Sequence, residues 1–290
     1  MTDEKTWRTL IDAATLGSHL DDPNLVVVDC RFDLADTGRG ERDYAVSHVP
    51  GAFYAHLDRD LSSPITPDSG RHPLPDINRL VDLFGRLGIR SETQVIAYDD
   101  SGGTMAVRLW WLLRWLGHDR VAVLDGGWPQ WVAGSHPQQT TANEPAASTR
   151  FSGEPDRSQV VTTDAIARQL ETGANAIQLM DARTGERYRG EQEPIDPVAG
   201  HIPGAFNLPL TGNLGADGRF LPADELRARY LEAIGDRKPQ SVAAMCGSGV
   251  TACHNLLAME IAGLSGARLY AGSWSEWCSD PARPVASQPH

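Results

Sequence analysis

Short apolar runs alternate with segments of helical spacing along most of the chain. The uninterrupted runs, typical of strands buried on both faces, are Leu25–Asp29, Gln94–Tyr98 and Val121–Leu124. Apolar side chains recur with a helical period over Thr9–Leu20, Asp76–Leu87 and Thr104–Leu116. Strands that alternate with helices form mostly parallel sheets with helices on both faces, so the pattern predicts an α/β fold.

The pattern begins again in the second half of the chain. Three motifs recur roughly 150 residues later, which indicates a duplicated domain: Leu25–Arg31 as Ile177–Arg183, Ser47–Ala52 as Gly200–Ala205, and Gly126–Trp128 as Gly272–Trp274. The intervening stretch is rich in Pro, Thr, Ser, Gln and Glu and lacks an apolar period, as linkers do. We therefore predict two tandem domains, residues 1–137 and 159–290, joined by a linker at 138–158.

A cysteine lies at the most informative junction of the second half. The apolar run Val242–Met245 leads into Cys246, glycines follow at 247 and 249, and a helical pattern begins at Thr251. The first turn of a helix has unpaired N–H groups and the positive end of the dipole, so it favours an anion. A cysteine there is favoured as the thiolate, the form that acts as a nucleophile. The competing interpretation is a small buried hydrophobe.

The duplication locates the chemistry in one half. When the repeats are superposed, Asp99 occupies the position of Cys246. A carboxylate is stable at a helix N-terminus but cannot carry sulfur. We therefore predict that only the second half holds a nucleophile.

Composition excludes several classes of partner. The 290 residues include 38 acidic and 26 basic side chains, for a net charge of −12, and no polybasic block is present. Nucleic acid is therefore not an expected partner. No apolar run is long enough to span a bilayer, and the polar N-terminus does not resemble a signal peptide. We expect a cytoplasmic protein with no membrane partner.

The four cysteines do not indicate a disulfide framework or a metal site. Cys30, Cys246, Cys253 and Cys278 are too scattered to form a framework in a chain of this size. Cys253 and His254 are adjacent and would point in different directions from a helix, so they do not make a zinc site. No metal or other cofactor is predicted.

The motifs taken together resemble a known family. Asp181 and Arg183 end the strand, Gly200–Ala205 reads Gly-His-Ile-Pro-Gly-Ala, the cysteine loop ends in Gly-Val-Thr-Ala, and Gly272–Trp277 reads Gly-Ser-Trp-Ser-Glu-Trp. This combination resembles the two-domain sulfurtransferases of the rhodanese superfamily. Residues 246–251 are similar to the loop of 3-mercaptopyruvate sulfurtransferases, whereas thiosulfate-specific members usually carry basic residues where this chain has Gly247 and Ser248.

The resemblance implies an enzyme that carries sulfur on Cys246 as a persulfide. The donor would be 3-mercaptopyruvate, which gives up its sulfur and leaves as pyruvate. The acceptor would be a thiol, cyanide or a thioredoxin-like protein. Gly247, Gly249, Val250 and Thr251 would bind the donor and the persulfide. A thiosulfate:cyanide sulfurtransferase with the same mechanism is the alternative.

The resemblance also implies a relay for proton transfer. It assigns Ser248 to a group with His72 and Asp58, both from the first half of the chain. A carboxylate that orients an imidazole beside a hydroxyl is a reasonable acid–base arrangement. The alternatives are a loop histidine bonded to backbone for His72 and a turn or cap residue for Asp58.

Donor binding requires a cation, because both candidate donors are anions. Arg187 matches the arginine that family members direct at the substrate, and an ion pair with Glu186 or Glu191 is its alternative role. The second substrate arginine of many mercaptopyruvate enzymes is missing, since Asp196 stands close to its place. This departure leaves the donor preference open.

Two other classes of protein compete with this interpretation. A Cys-based phosphatase also binds an anion at a helix mouth, but its Cys-x5-Arg motif needs an arginine where this chain has Ala252. A non-enzymatic module that accepts a persulfide from a partner stays open because of the missing arginine.

Overall fold

The computed structural model describes residues 6–143 and 149–287, which form two compact units. The first unit comprises residues 6–63, 75–143, 149–156 and 216–220. The second comprises residues 64–74, 157–215 and 221–287. Residues 64–74 thus belong to the second unit, although they precede most of the first along the chain. The domain boundaries given above stay a prediction.

The first unit contains a five-stranded parallel sheet. Its strands are β1 (Leu10–Ile11), β2 (Leu25–Asp29), β3 (Phe53–Tyr54), β4 (Gln94–Tyr98) and β5 (Val121–Leu124). Its helices are α1 (Ala13–Gly17), α2 (Arg39–Val46), α3 (Ile77–Arg86), α4 (Ala106–Trp115) and α5 (Gly127–Ala133). The strand order across the sheet is β1-β5-β4-β2-β3.

The second unit repeats this arrangement. Its strands are β6 (Val160–Val161), β7 (Gln178–Asp181), β8 (Phe206–Asn207), β9 (Val242–Met245) and β10 (Arg268–Tyr270). Its helices are α6 (Thr163–Thr172), α7 (Gly185–Arg189), α8 (Ala223–Ile234), α9 (Ala252–Ile261) and α10 (Ser273–Trp277). The order β6-β10-β9-β7-β8 matches the first sheet strand for strand, and all pairs are again parallel. The predicted α/β fold with a parallel sheet in each half is therefore confirmed.

The central strands are buried on both faces, as their apolar sequences require. Every residue of β4 and of β9 is buried, and so are nearly all residues of the helices that follow them, α4 and α9. A strand covered on both sides fixes the position of its carboxyl end. The loops after β4 and β9 therefore start from rigid points in the two cores.

Each half also has the same buried ion pair at the end of its second strand. Arg31 binds Asp29 (2.6 Å), and Arg183 binds Asp181 (2.7 Å), with all four side chains almost fully buried. Arg31 also donates to the Ser47 carbonyl, as Arg183 donates to that of Gly200. Because the pair occurs in both halves, these arginines have a structural role that does not depend on the nucleophile.

The two histidines of the repeated Pro-Gly-Ala motif are structural in the same way. His48 stacks on Tyr44 and His201 on Tyr188, with ring centroids 3.9 Å and 3.8 Å apart. In each case Nδ1 lies within hydrogen-bond distance of the tyrosine carbonyl oxygen. Both side chains are fully buried.

The first predicted helix is wrong in its N-terminal part. Leu10 and Ile11 form the edge strand β1, which pairs with β5, and Asp12 caps α1 by accepting a hydrogen bond from Thr15 N (2.8 Å). The spacing of apolar residues over Thr9–Leu20 does not reveal a strand of two residues. In contrast, α3 begins after its cap Asp76 and fits the predicted helix closely.

Within residues 6–143 and 149–287, no helix combines the length and the apolar character that crossing a membrane requires.

Candidate active site

Cys246 lies between β9 and α9, where the strand–loop–helix pattern placed it. Its side chain is buried, and its Sγ accepts hydrogen bonds from the backbone N–H groups of Ser248 (3.5 Å) and Gly249 (3.1 Å). Two amides directed at one sulfur form an anion-binding nest, reinforced by the N-terminus of α9. The loop is therefore built to hold a sulfur that carries negative charge.

Hydrogen bonds to the first residues of α10 fix the backbone of Cys246. Ser273 accepts a hydrogen bond from Cys246 N at its Oγ (3.0 Å), and the same hydroxyl donates to the Tyr270 carbonyl (2.9 Å). Trp274 N donates to the Cys246 carbonyl (3.0 Å). Ser273 has a φ of 54°, unusual for a residue with a side chain. The Gly-Ser-Trp motif at residues 272–274 thus supports the backbone of the nucleophile.

Gly249 is required by both conformation and space. Its φ is +75°, and a Cβ atom there would lie 2.2 Å from the Ala271 carbonyl oxygen. Gly204 has a similar φ of +79° with nothing within 4 Å. A side chain would strain the backbone at both positions, but it would collide with a neighbouring atom only at Gly249.

We expect Gly249→Ala to destabilise the protein by about 3 kcal/mol and to disrupt sulfur transfer, because the loop has to move away from Ala271. Gly204→Ala, which adds strain alone, should cost about 1 kcal/mol. Chemical denaturation and turnover of both variants check this. Equal losses would show that contact with Ala271 does not constrain the loop.

The structure brings two of the three predicted relay residues together. Ser248 Oγ and His72 Nδ1 are 2.7 Å apart, and both residues are buried. His72 belongs to residues 64–74, the segment that is part of the second unit. This segment is attached to α10 by the hydrogen bond from Arg71 N to Ser275 Oγ (3.0 Å). His72 therefore lies beside the nucleophile loop despite its distance along the chain.

Asp58 belongs to the first unit. Its backbone N–H donates to His56 Nδ1 (3.1 Å), and its side chain is exposed. Neighbouring residues still remove part of the water around the Asp58 carboxyl and so raise its pKa, while nearby His56 opposes that shift. Its assignment to the relay stays a prediction.

Arg187, on α7, is held by two carboxylates. Its Nη2 binds Glu193 (2.6 Å) and Asp196 (3.1 Å), and its Nε also donates to Glu193. These partners differ from Glu186 and Glu191, the ion-pair partners considered from the sequence. The guanidinium approaches the nucleophile loop, since a Cβ atom on Gly247 would lie 3.6 Å from its Nη2.

Arg71 is a site residue that the sequence did not reveal. Its Nη2 would lie 2.6 Å from a Cβ atom on Gly247, and its Nη1 donates to Asp196. Burial lowers the pKa of Arg71; the neighbouring Cys246 opposes this shift, and the charge of Arg187 adds to it. Two guanidinium groups thus approach the loop around one shared carboxylate. Its adjacency to His72 was the available signal.

Val250 and Thr251 complete the loop, and their assignment to donor binding stays a prediction. Val250 is buried, and Thr251 is half-buried at the start of α9 without a side-chain cap hydrogen bond. Cys253 is fully buried, and its thiol donates to the Gly249 carbonyl (3.5 Å). Across the described ranges, no group of three or more His, Cys, Asp or Glu side chains is arranged to hold a metal ion.

The corresponding loop of the first unit is filled by its own side chain. Asp99 Oδ1 accepts hydrogen bonds from the N–H groups of Ser101 (2.8 Å) and Gly103 (2.9 Å). Its Oδ2 accepts from those of Met105 (2.7 Å) and Ala106 (2.8 Å). The carboxylate is an internal anion in the nest that, in the second unit, surrounds a sulfur.

Comparison with known proteins gives matches over most of the chain. The rhodanese-like domain family matches residues 12–134 and again residues 162–280. A Pseudomonas aeruginosa protein named "Probable 3-mercaptopyruvate sulfurtransferase" is 48% identical over 280 residues, 96% of this chain and 98% of that protein. The thiosulfate sulfurtransferase of Rattus norvegicus is 35% identical over 262 residues, 88% of this chain and 85% of that protein.

Among solved structures, the 3-mercaptopyruvate sulfurtransferase from Leishmania major superposes with a TM-score of 0.82 and 31% identity. The superposition covers 93% of this chain and 74% of that chain.

Proposed function

The chain belongs to the family of rhodanese-like domain proteins, and we propose that it takes sulfur from 3-mercaptopyruvate and carries it as a persulfide on Cys246. The family and the enzyme class predicted from the sequence, a sulfurtransferase, are confirmed by the matched domains and by the named relatives. The donor, the site residues and the acceptor are the content of the proposal. The observation that carries it is the Ser248–His72 pair directly beside a sulfur held by two amides.

The first half-reaction transfers sulfur to the enzyme. The Cys246 thiolate attacks the sulfur of the donor, the new S–S bond forms, and the C–S bond breaks with its electron pair moving to carbon. The products are the Cys246 persulfide and the enolate of pyruvate. The amides of Ser248 and Gly249 would stabilise the sulfur anion throughout.

The enolate needs a proton to become pyruvate. His72 Nδ1 can take up the proton of the donor thiol and return it through Ser248. The protonated Nδ1 donates to Ser248 Oγ, and the hydroxyl gives its own proton to the enolate carbon, which leaves the imidazole neutral. Arg187 would bind the donor carboxylate, and Gly247, Gly249, Val250 and Thr251 would shape the loop around it. Asp58 enters this relay on the family resemblance alone.

In the second half-reaction, a nucleophilic acceptor attacks the outer sulfur and releases the Cys246 thiolate. A thiol, cyanide or a thioredoxin-like protein has the required chemistry. We place the protein in the cytoplasm, since its four cysteines are free thiols.

Sulfur transfer to cyanide from 3-mercaptopyruvate and from thiosulfate tests the choice of donor. We expect a higher kcat/KM with mercaptopyruvate, because the loop places a hydroxyl–imidazole pair where an enolate needs a proton. A higher kcat/KM with thiosulfate would favour the alternative, to which the rat relative belongs by name. Persulfide formation without turnover on either donor would favour a sulfur-relay module.

Ser248→Ala should lower kcat/KM with mercaptopyruvate by about 100-fold, because the enolate loses its proton donor. Transfer from thiosulfate should fall by less than about threefold, since sulfite leaves as a stable anion without a proton. His72→Asn should give the same pattern, and the two losses should not add, because the residues act as a pair. Steady-state kinetics with both donors provide the measurement.

Ser241→Ala is the matched control. Its hydroxyl is exposed and donates to the Lys238 carbonyl (2.8 Å), so kcat/KM should stay at the wild-type value with both donors. Equal losses with both donors in Ser248→Ala would assign the serine to loop structure and remove it from the proton transfer.

A further inference from the structure

A chain of alternating charges surrounds the two guanidinium groups at the nucleophile loop. Arg71 binds Asp196, Asp196 binds Arg187, and Arg187 binds Glu193. Glu193 continues the chain to Arg183, which is paired with Asp181. The cluster therefore contains three arginines and three carboxylates, and its formal charge is zero.

Arg71 and Arg187 converge on one point beside the nucleophile. A Cβ atom on Gly247 would lie 2.6 Å from Arg71 Nη2, 3.6 Å from Arg187 Nη2 and 3.7 Å from Arg187 Nη1. In addition, Arg71 Nε is buried without a hydrogen-bond partner in the described ranges. A buried N–H group without a hydrogen-bond partner destabilises the folded protein, and a bound anion that accepts its hydrogen bond would remove that cost.

From these contacts we propose that Arg71 is the second donor-binding cation of the site and that Asp196, shared by Arg71 and Arg187, makes the site prefer singly charged over doubly charged anions. This inference rests on the proposed function, since it concerns the donor of the same site. Arg71 would thus take the role of the second substrate arginine, which this sequence lacks near position 196.

The preference follows from the charges. Asp196 is buried, so its negative charge is poorly screened by solvent. A carboxylate such as that of mercaptopyruvate adds one negative charge to a neutral cluster, and thiosulfate adds two. Each charge is repelled by Asp196, so the doubly charged donor is penalised more. The two guanidinium groups still provide the N–H donors that a single carboxylate needs.

The test compares kcat/KM for mercaptopyruvate and thiosulfate in wild type and in Asp196→Asn. The asparagine keeps the shape of the side chain and removes its charge, so the ratio should shift toward thiosulfate by on the order of tenfold. Asp196→Glu keeps the charge and should retain the wild-type preference. Glu191→Gln removes a charge from an exposed neighbour of Arg189 and should leave the ratio unchanged.

A second measurement does not depend on turnover. Iodoacetamide is neutral and alkylates thiolates, so we expect it to modify Cys246 and expect anions bound at the site to slow that reaction. Pyruvate and sulfate serve as the singly and doubly charged probes. Asp196→Asn should strengthen protection by sulfate relative to pyruvate by on the order of tenfold, and Arg71→Gln should weaken protection by both.

The outcomes distinguish the two proposals. If mercaptopyruvate is not a donor but Asp196→Asn shifts the protection ratio toward sulfate, the proposed function fails and the charge inference stands. If mercaptopyruvate is the donor and Asp196→Asn leaves both ratios at the wild-type values, the inference is overturned. Unchanged protection in Arg71→Gln would remove Arg71 from the site.

Discussion

Cys246→Ser is expected to lower sulfur transfer by at least about 1000-fold with either donor, because a serine hydroxyl cannot form the persulfide. The loop amides and the Ser248–His72 pair stay in place, so the loss isolates the nucleophile. Intact-mass measurement after incubation with donor provides the direct check. Wild type should gain one sulfur atom that cyanide removes, and Cys246→Ser should gain none.

Cys278→Ser is the matched control, since Cys278 is also buried and belongs to the same unit. Burial raises the pKa of the Cys278 thiol, which disfavours the reactive thiolate. This variant should take up sulfur and pass it to cyanide as wild type does. Persulfide on Cys246→Ser, located by peptide mapping at another cysteine, would contradict the assignment of the nucleophile.

The fold could be predicted where the pattern of residues is long and local. Strands such as Gln94–Tyr98 are continuous apolar runs, and the repeat of the pattern doubles the evidence for each element. The edge strands β1, β3, β6 and β8 have two residues each, too few to show alternation. Their existence depends on pairing with a central strand, which a local pattern does not contain.

The site residues also differ in how far the sequence around them reveals their position. Cys246 could be predicted because strand, glycines and helix are adjacent in sequence. His72 was reached only through the family resemblance. Arg71 was missed because its adjacency to His72 is a weak signal when the sequence does not show that residues 64–74 lie in the second unit. The sequence shows at Asp196 only that a substrate arginine is missing. The structure shows that its carboxylate binds both Arg71 and Arg187.

The comparison of Asp99 with Cys246 explains how one half can lose its nucleophile and keep its fold. The loop after the fourth strand directs backbone N–H groups at one point, and these groups need an acceptor. In the second unit, Cys246 Sγ accepts hydrogen bonds from two of these N–H groups. In the first, Asp99 meets it with both carboxylate oxygens.

Asp99→Ala should therefore destabilise the first unit by about 4 kcal/mol, because four backbone N–H groups lose a fully buried carboxylate as their acceptor. Asp99→Asn keeps one acceptor oxygen and should cost about half as much. Native-state hydrogen exchange locates the effect, since it reports local opening free energies. Protection should fall most in residues 94–115, with a smaller change in residues 242–261.

The neighbouring residue supplies the control for that experiment. Asp100 pairs with Arg39 (2.5 Å), a side chain that is 44% exposed, and such surface pairs contribute less than about 1 kcal/mol. Asp100→Ala removes the same carboxylate from the next position without affecting the four amides. If the two variants lower protection of residues 94–115 equally, the buried hydrogen bonds of Asp99 do not stabilise the loop. A several-fold larger effect at Asp99 would show that the buried carboxylate holds this loop together through its four backbone hydrogen bonds.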